Sequence, residues 1–326
     1  MFSALEQNTL ARILVIEKFI ELNRKAISSE EASQRNMMKT YAVSACVTRL
    51  YAVLETFVET AISDYLDEIP GLQKYSDLPD GIKKEYRLGV SHLLGKIDQG
   101  RYKHLNHENI IKRYYDALTD ISDYRFVTEA LIRHETNFRL KEIVGAFKKI
   151  QLTGLESWIA NHYEVKSLYP EDEGRNVYDQ LESEWTNFVQ LRNDASHSSL
   201  DNLESEDNLV RYCDVAKKLV ISISQYLHKC LLLKKSEVGK ATMLGGVTEV
   251  FKKSESFILL LNKGVRLKVG DTVHVLCSTN CREQSVVSIQ VNGSSVKSVI
   301  ADDDGYEVGL KCNELVRKKS KLYSCP

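Results

Sequence analysis

The chain has 326 residues, of which 43% are hydrophobic and 27% are charged, so it has enough length for about two domains with buried cores. Its 44 Lys and Arg against 45 Asp and Glu leave a formal net charge of −1, which excludes a broad electrostatic attraction to nucleic acid as the main source of affinity. Only 4 prolines are present, and this scarcity argues against a linker-rich or disordered chain.

The N-terminal segment and the cysteines indicate a compartment. The start of the chain lacks the basic region followed by an apolar stretch that marks a secretory signal. No apolar run approaches the ~20 residues that a membrane span needs. The 7 cysteines are an odd, scattered set, which is typical of reduced thiols and not of a disulfide framework. We therefore expect a cytoplasmic protein with no membrane partner.

Up to residue 236 the apolar residues recur every three or four positions, which is the period of an amphipathic α-helix. The longest stripe runs from Val43 to Tyr65 and is expected to end at Pro70-Gly71, and a second runs from Leu209 to Leu231. Shorter helical patterns cover 4–24, 81–97, 107–118, 124–134, 137–150, 154–161 and 177–192. Residues 1–236 are thus predicted to form an all-α helical bundle.

After residue 236 the pattern changes to short runs rich in Val, Ile and Leu, separated by Gly, Asn, Asp and Ser. The predicted strands are 247–250, 257–261, 265–267, 272–276, 285–291, 296–299 and 306–310. Asn292-Gly293 is typical of a tight hairpin turn. Several short strands at regular spacing predict a small closed β-barrel, which we place at residues 246–326 after a linker at 237–245. The fold class is therefore multidomain, α followed by β.

The segment from Leu191 to Ser199 is the most site-like part of the chain, because an amphipathic helix gives way there to small polar residues. Asn, Asp and Ser favour helix ends over helix interiors, so we expect the helix to end at Arg192 and His197 to lie in or beside the following loop. Within one straight helix the two side chains would point about 140° apart. A turn, or a dimer that unites two copies, would remove that separation.

The residue types in this segment suit chemistry on RNA. An imidazole can take a proton from a ribose 2′-hydroxyl near neutral pH. A guanidinium can bind the phosphate and offset the charge that develops on it. The attacking hydroxyl belongs to the substrate, so no metal and no cofactor is required. Asn193 could orient Arg192 or bind the substrate. The spacing of Arg192 and His197 taken alone favours a helix C-terminus with a surface histidine.

Arg192-Asn193, followed after three residues by His197 and placed between two helices late in an all-α domain, resembles the Arg-x4-6-His signature of the HEPN family. The runs 54–58 (Leu-Glu-x-Phe-Val) and 137–143 (Asn-Phe-Arg-Leu-Lys-Glu-Ile) are similar to the HEPN subfamily labelled RiboL-PSP or MAE-like. The resemblance extends over roughly the whole helical region.

Many HEPN proteins are metal-independent ribonucleases of toxin, CRISPR or phage-defence systems, and they dimerise so that Arg and His of both subunits meet in one cleft. The resemblance implies that Arg192 binds phosphate, that His197 is the general base or acid and that Asn193 supports them. It also implies RNA as substrate (tRNA, rRNA or mRNA), a homodimer, and an antitoxin or activator protein. Some HEPN proteins lack nuclease activity, so a non-catalytic adaptor is the alternative. An acceptor of nucleotide transfer through a tyrosine is a third hypothesis.

The tail resembles a second known module. Four runs, 246–250, 267–275, 287–291 and 306–310, are similar to the second-domain β-barrel of translational GTPases such as elongation factor Tu. The chain contains no Gly-x4-Gly-Lys-Ser/Thr phosphate-binding loop, so the resemblance implies a binding module and not a GTPase. Its expected role is contact with tRNA, the ribosome or another protein.

Three further features have structural interpretations that we prefer. A zinc site is conceivable from the late cysteines, but their spacing favours free thiols; they are Cys277, Cys281, Cys312 and Cys325. The tyrosines in the middle of the helical region could stack bases, but ordinary packing is commoner; they are Tyr86, Tyr102, Tyr114, Tyr115 and Tyr124. The basic run 317–321 suggests a solvated strand edge more than a phosphate contact. By sequence, residues 241–326 carry a net charge of +3 and the remainder −4.

Overall fold

The computed structural model describes residues 2–28, 31–132, 137–170, 176–197, 204–251 and 255–325, and it leaves aside the side chains of residues 32, 33, 101, 196 and 197. The chain is helical up to residue 237 and forms an antiparallel β-barrel beyond it, as predicted. Its contacts define two compact units, Met1–Ser224 and Gln225–Pro326. We name the first the helical unit and the second the β unit.

The helices within the described ranges follow the predicted order. They are α1 (Phe2–Ile27), α2 (Ala32–Glu68), α3 (Asp80–Lys96), α4 (His107–Leu118), α5 (Thr128–Leu131), α6 (Leu140–Lys149), α7 (Leu155–Asn161), α8 (Tyr163–Lys166), α9 (Val177–His197) and α10 (Glu206–Glu237), with a 3₁₀ turn at Gly100–Tyr102. The last of them, α10, contains the division between the two units.

Helix α2 is the central element of the helical unit and packs against α1, α5 and α9. Its predicted stripe from Val43 to Tyr65 is buried along one side, and each buried aliphatic side chain of this kind contributes roughly 1.5–3 kcal/mol. Residues 34–68 are apolar and long enough to cross a membrane by length and composition, yet half of the most apolar stretch is buried inside the structure. Such burial is also what a core helix shows.

Two predicted helix boundaries are wrong. The helix does not end at Arg192, because α9 continues to His197. The polar side chains that favour helix ends bond to other side chains here and not to the backbone. The amide of Gln190, for example, donates to Asp194 Oδ1 (2.8 Å) one turn further along the same helix. The second error concerns 124–134, where the helix covers only Thr128–Leu131 among the described residues.

The extended segment 124–127 belongs to an aromatic cluster and not to a helix. The rings of Tyr75, Tyr86, Tyr124 and Phe126 pack with centroids 5.0–6.4 Å apart; the Tyr75–Phe126 pair is tilted and the other contacting pairs are edge to face. The Val127 N–H donates to the Tyr86 hydroxyl (3.0 Å), which takes up a backbone group that a helix would otherwise satisfy. The packing interpretation is therefore confirmed for the buried tyrosines Tyr86, Tyr102 and Tyr124.

The strands are β1 (Thr242–Phe251), β2 (Ser256–Leu261), β3 (Arg266–Lys268), β4 (Thr272–Leu276), β5 (Cys281–Val291), β6 (Ser294–Val296), β7 (Ser298–Ile300), β8 (Tyr306–Cys312) and β9 (Lys321–Ser324). The main sheet has the antiparallel order β4-β9-β1-β2-β8-β5-β6, and a further pairing of β4 with β5 closes it into a barrel. Strands β3 and β7 form a separate two-stranded sheet. Alternate residues face one apolar core, as the twofold period predicts.

The prediction missed β9, and it misplaced the basic run beside it. Residues 317–320 form a turn that leads into β9, and β9 pairs with β1 on one side and β4 on the other. The strand-edge interpretation of this run is therefore wrong, because β9 has no open edge along its paired residues. The last helix ends at Glu237 and the first strand begins at Thr242.

Candidate functional site

Three elements of the helical unit converge on the guanidinium of Arg192. Helix α9 carries Arg192 and Asn193, α2 carries Tyr51, and Asn137 lies just before α6. The Arg192 Cζ atom lies 4.5 Å from the centroid of the Tyr51 ring. A guanidinium over an aromatic face is attracted by the ring quadrupole. Tyr51 is buried while Arg192 is half-buried, so the guanidinium stacks on the ring from the side nearer to solvent.

The amides of Asn137 and Asn193 hold the same guanidinium. Arg192 Nη1 donates to Asn137 Oδ1 (3.4 Å) and to Asn193 Oδ1 (3.3 Å). Asn137 Nδ2 donates in turn to Asn193 Oδ1 (2.8 Å). Because a guanidinium has donors only, both amides must turn their oxygens toward it. The two amides therefore fix one face of Arg192 without neutralising its charge.

The backbone of Phe138 anchors Asn137 in this position. The Phe138 N–H donates to the Tyr51 hydroxyl (2.9 Å), and the Phe138 carbonyl accepts from Trp185 Nε1 (2.9 Å). Tyr51, Phe138 and Trp185 are all buried. Leaving a buried hydrogen bond unmade costs free energy. The bonds to α2 and α9 therefore fix the backbone of Phe138, and they restrict the neighbouring Asn137 as well.

The Tyr51 hydroxyl is a structural hydrogen-bonding group. Burial raises the pKa of Tyr51, and the nearby Glu55 carboxylate raises it further, while the Phe138 N–H and the charge of Arg192 lower it. The hydroxyl lies 3.5 Å from Glu55 Oε1. The phenol thus stays protonated at neutral pH, when it accepts from Phe138 and donates toward Glu55.

The structure brings two of the three predicted site residues together. Arg192 and Asn193 are neighbours on α9 and share a hydrogen bond. His197 is the last residue of α9, and its side chain lies outside the described part of the structure. In an α-helix, five positions correspond to about 140° around the axis. The predicted meeting of Arg192 and His197 side chains therefore stays a prediction.

Sequence reasoning missed the roles of Asn137 and Tyr51. Asn137 is 55 positions from Arg192 along the chain, and Tyr51 has the spacing of an ordinary core residue on α2. Asn137 does begin the run 137–143 that resembles HEPN proteins, which was the one available signal. Nothing in residue spacing alone shows that these side chains meet.

The cysteines of the β unit have ordinary surroundings. Within the ranges that the structure describes, no group of three His, Cys, Asp or Glu side chains is arranged to hold a metal ion. Burial raises the pKa of the Cys281 thiol, and the Cys277 thiol lies 2.9 Å from Asn280 Oδ1. These thiols are free in the structure.

Comparison with known proteins supports the helical assignment. No curated protein matches the chain. Among solved structures, the chain is similar to the C-terminal domain of a putative U32 peptidase of Geobacillus thermoleovorans, with 12% identity and a TM-score of 0.23 over 26% of this chain and 99% of that one. The likeness of the barrel to elongation factor Tu stays a prediction. The family model for MAE_28990-like HEPN proteins matches residues 1–236. The chain thus belongs to the MAE_28990-like HEPN family.

Proposed function

We propose that this protein is a metal-independent endoribonuclease that cleaves RNA by attack of a ribose 2′-hydroxyl. Membership of the HEPN family supports the reaction class. The observation that carries the proposal is the position of the Arg192 guanidinium, which is half-buried, held by two amide oxygens and still cationic, on the same helix as His197. That combination suits the stabilisation of a negatively charged transition state.

The proposed reaction divides the work between two side chains. The His197 imidazole takes the proton of the 2′-hydroxyl, and the 2′ oxygen attacks the adjacent phosphorus. The bond from phosphorus to the 5′ oxygen breaks, and that oxygen leaves with a proton from a histidine acting as acid. Arg192 binds the non-bridging oxygens as their charge grows. The products are a 2′,3′-cyclic phosphate and a 5′-hydroxyl end.

A homodimer completes this model. Positions 192 and 197 lie about 140° apart around an α-helix, so one copy of α9 does not turn both toward a single phosphate. Two copies of α9 facing each other unite an arginine of one subunit with a histidine of the other. Light scattering at micromolar concentration is expected to give twice the 37.1 kDa of one chain. A monomer there would contradict the shared cleft.

Cleavage in the presence of EDTA tests the proposal. Purified protein is incubated with total RNA, and the new ends are mapped by sequencing to show which RNA is cut. His197→Ala is expected to lower the rate by about 10²–10⁴-fold, and Arg192→Ala by a similar factor. The matched controls are His107→Ala and Arg125→Ala, two exposed residues of the same unit. Equal cutting by wild type and both site variants would refute the assignment.

A non-catalytic adaptor is the alternative, and one observation favours it. Arg192 ties α9 to α2 and to the segment before α6 through Tyr51 and Asn137, which is also what a structural arginine does. If so, Arg192→Ala lowers the free energy of unfolding of the helical unit, and no class of RNA is cut with or without EDTA. If the protein is an enzyme, Arg192→Ala lowers the cleavage rate by a larger factor than its effect on the free energy of unfolding accounts for.

We further propose that the β-barrel directs the protein to its target, in a cytoplasmic toxin or phage-defence setting with tRNA, rRNA or mRNA as substrate and an antitoxin or activator as regulator. Support comes from the net charge of +3 on residues 241–326 and from the exposed side chains of the turn 317–319 and of Lys321. In the full chain, Lys318→Gln combined with Lys319→Gln is expected to weaken RNA binding and to reduce its salt dependence. An unchanged salt slope would point to a protein target instead.

A further inference from the structure

Asn137 lies outside the Arg-x4-6-His segment, and its contacts give it a specific relation to that segment. Its side chain accepts from Arg192 Nη1 at 3.4 Å and donates to Asn193 Oδ1 at 2.8 Å. One amide thus bridges the two neighbouring residues of the signature.

The bridge acts in a defined direction. Asn193 Oδ1 receives hydrogens from Asn137 Nδ2 and from Arg192 Nη1, so the three groups form a closed ring of hydrogen bonds. A closed ring allows one orientation of each amide, because the guanidinium donates and never accepts. Removing the Asn137 amide breaks two of these three bonds, and the bond of the ring that remains is the i,i+1 contact between Arg192 and Asn193.

The backbone makes Asn137 a rigid support. The Phe138 N–H and carbonyl are held by the buried side chains of Tyr51 and Trp185 at 2.9 Å each. Displacing a catalytic charged group by ~1 Å lowers the reaction rate by about 10²-fold. A long arginine side chain has many rotamers, so a fixed partner matters more to it than to a short residue.

We propose that Asn137 is a positioning residue, which fixes the orientation of the Arg192 guanidinium toward the scissile phosphate. This inference rests on the proposed ribonuclease function. The sequence analysis confines the site to α9. The proposal adds the segment before α6, which carries Asn137, to that site. Asn137 acts through Arg192 and does not itself touch the reacting atoms.

Two measurements test the positioning role, and one of them needs no activity. In ¹⁵N-labelled full-length protein, the Nε–H signal of Arg192 is identified by its loss in Arg192→Lys. Asn137→Ala is expected to increase the mobility of that signal and to lower kcat by about 10- to 100-fold, with a smaller change in KM. Asn109→Ala is the matched control, because Asn109 also accepts from an arginine, Arg113 Nε at 3.1 Å on α4. It should change neither measurement.

A second variant guards against misfolding. Asn137→Asp keeps an acceptor for Arg192, so Arg192 should stay ordered, while the added negative charge beside the guanidinium raises KM for RNA. The proposal is overturned if Arg192 stays rigid in Asn137→Ala, or if it becomes mobile while kcat is unchanged. If Arg192 becomes mobile and the wild-type protein cuts no RNA, the positioning contact is supported and the ribonuclease function fails by itself.

Discussion

Removal of a single oxygen in Tyr51→Phe tests how the site is supported. The substitution keeps the ring under Arg192, so the cation–π contact at 4.5 Å is preserved. It deletes the acceptor of the Phe138 N–H at 2.9 Å, a buried hydrogen bond between α2 and the segment before α6. It also removes the long contact of the hydroxyl with Glu55 Oε1 at 3.5 Å, but it leaves the charge of Arg192 and the ring beneath it in place.

The expected magnitude follows from the burial of the group that loses its partner. A buried donor left without an acceptor costs about 1–3 kcal/mol, which is more than the net value of a typical hydrogen bond. We expect the free energy of unfolding of the helical unit to fall by that amount. Tyr115→Phe is the control, because Tyr115 is 61% exposed and a surface change of this kind is worth within about 0.5 kcal/mol.

Urea unfolding followed by tryptophan fluorescence measures this quantity. The chain has 2 tryptophans, and both Trp158 and Trp185 lie in the helical unit, so the signal reports that unit and not the barrel. The slope with urea should be unchanged, since the surface exposed on unfolding is the same. A loss no larger than that of Tyr115→Phe would refute the claim that Tyr51 anchors Phe138, and with it the rigid support proposed for Asn137.

Two further predictions concern packing and pH. A Cβ at Gly89 on α3 would meet the backbone carbonyl of Ala130, so Gly89→Ala should lower the thermal midpoint by an amount that reflects about 1–3 kcal/mol; Gly95→Ala on the same helix meets nothing and should raise it slightly. In the β unit, His228 Nε2 lies 2.9 Å from His274 Nδ1, and burial, with His274 next, lowers the pKa of His228 to about 4. The unfolded chain takes up that proton first, at its ordinary pKa near 6.5, so this stability is complete above pH 6.5 and is lost as pH falls toward 4. Circular dichroism melts should show a loss of roughly 2 kcal/mol between pH 7.5 and 5, and His228→Gln should reduce it; an equal loss in that variant would contradict the assignment.

Most of the fold could be predicted because its signals are periodic and repeated. The stripe of α2 repeats over six turns, and a buried face of that length is hard to mistake. The change from a helical to a twofold period after residue 236 separates the two regions for the same reason. Strand β9 escaped because Lys321–Ser324 is short and begins with a charged residue, although Leu322 and Tyr323 are buried.

The site was only half predictable. Arg192 and Asn193 stood out because their residue types suit phosphate chemistry and lie side by side. Tyr51 and Asn137 contribute through contacts across 141 and 55 positions of the chain, and no local pattern encodes such a distance. A tyrosine on an apolar stripe has the same spacing whether it serves the core or the floor of a site.

The error at the end of α9 and the architecture of the site have one physical cause. Asparagine and aspartate weaken helices when their side chains compete for the backbone, and this rule predicted an end at Arg192. In the fold, Asn193 is engaged by Asn137 and Arg192, and Asp194 by Gln190, so the competitors are already bonded elsewhere. The helix then continues to His197, so positions 192 and 197 keep the spacing and the relative direction that an α-helix imposes. Rules based on local sequence fail where tertiary contacts determine the conformation of a site. The continuation of α9 is therefore an argument that the side chains of Asn137 and Asn193 are used to hold Arg192.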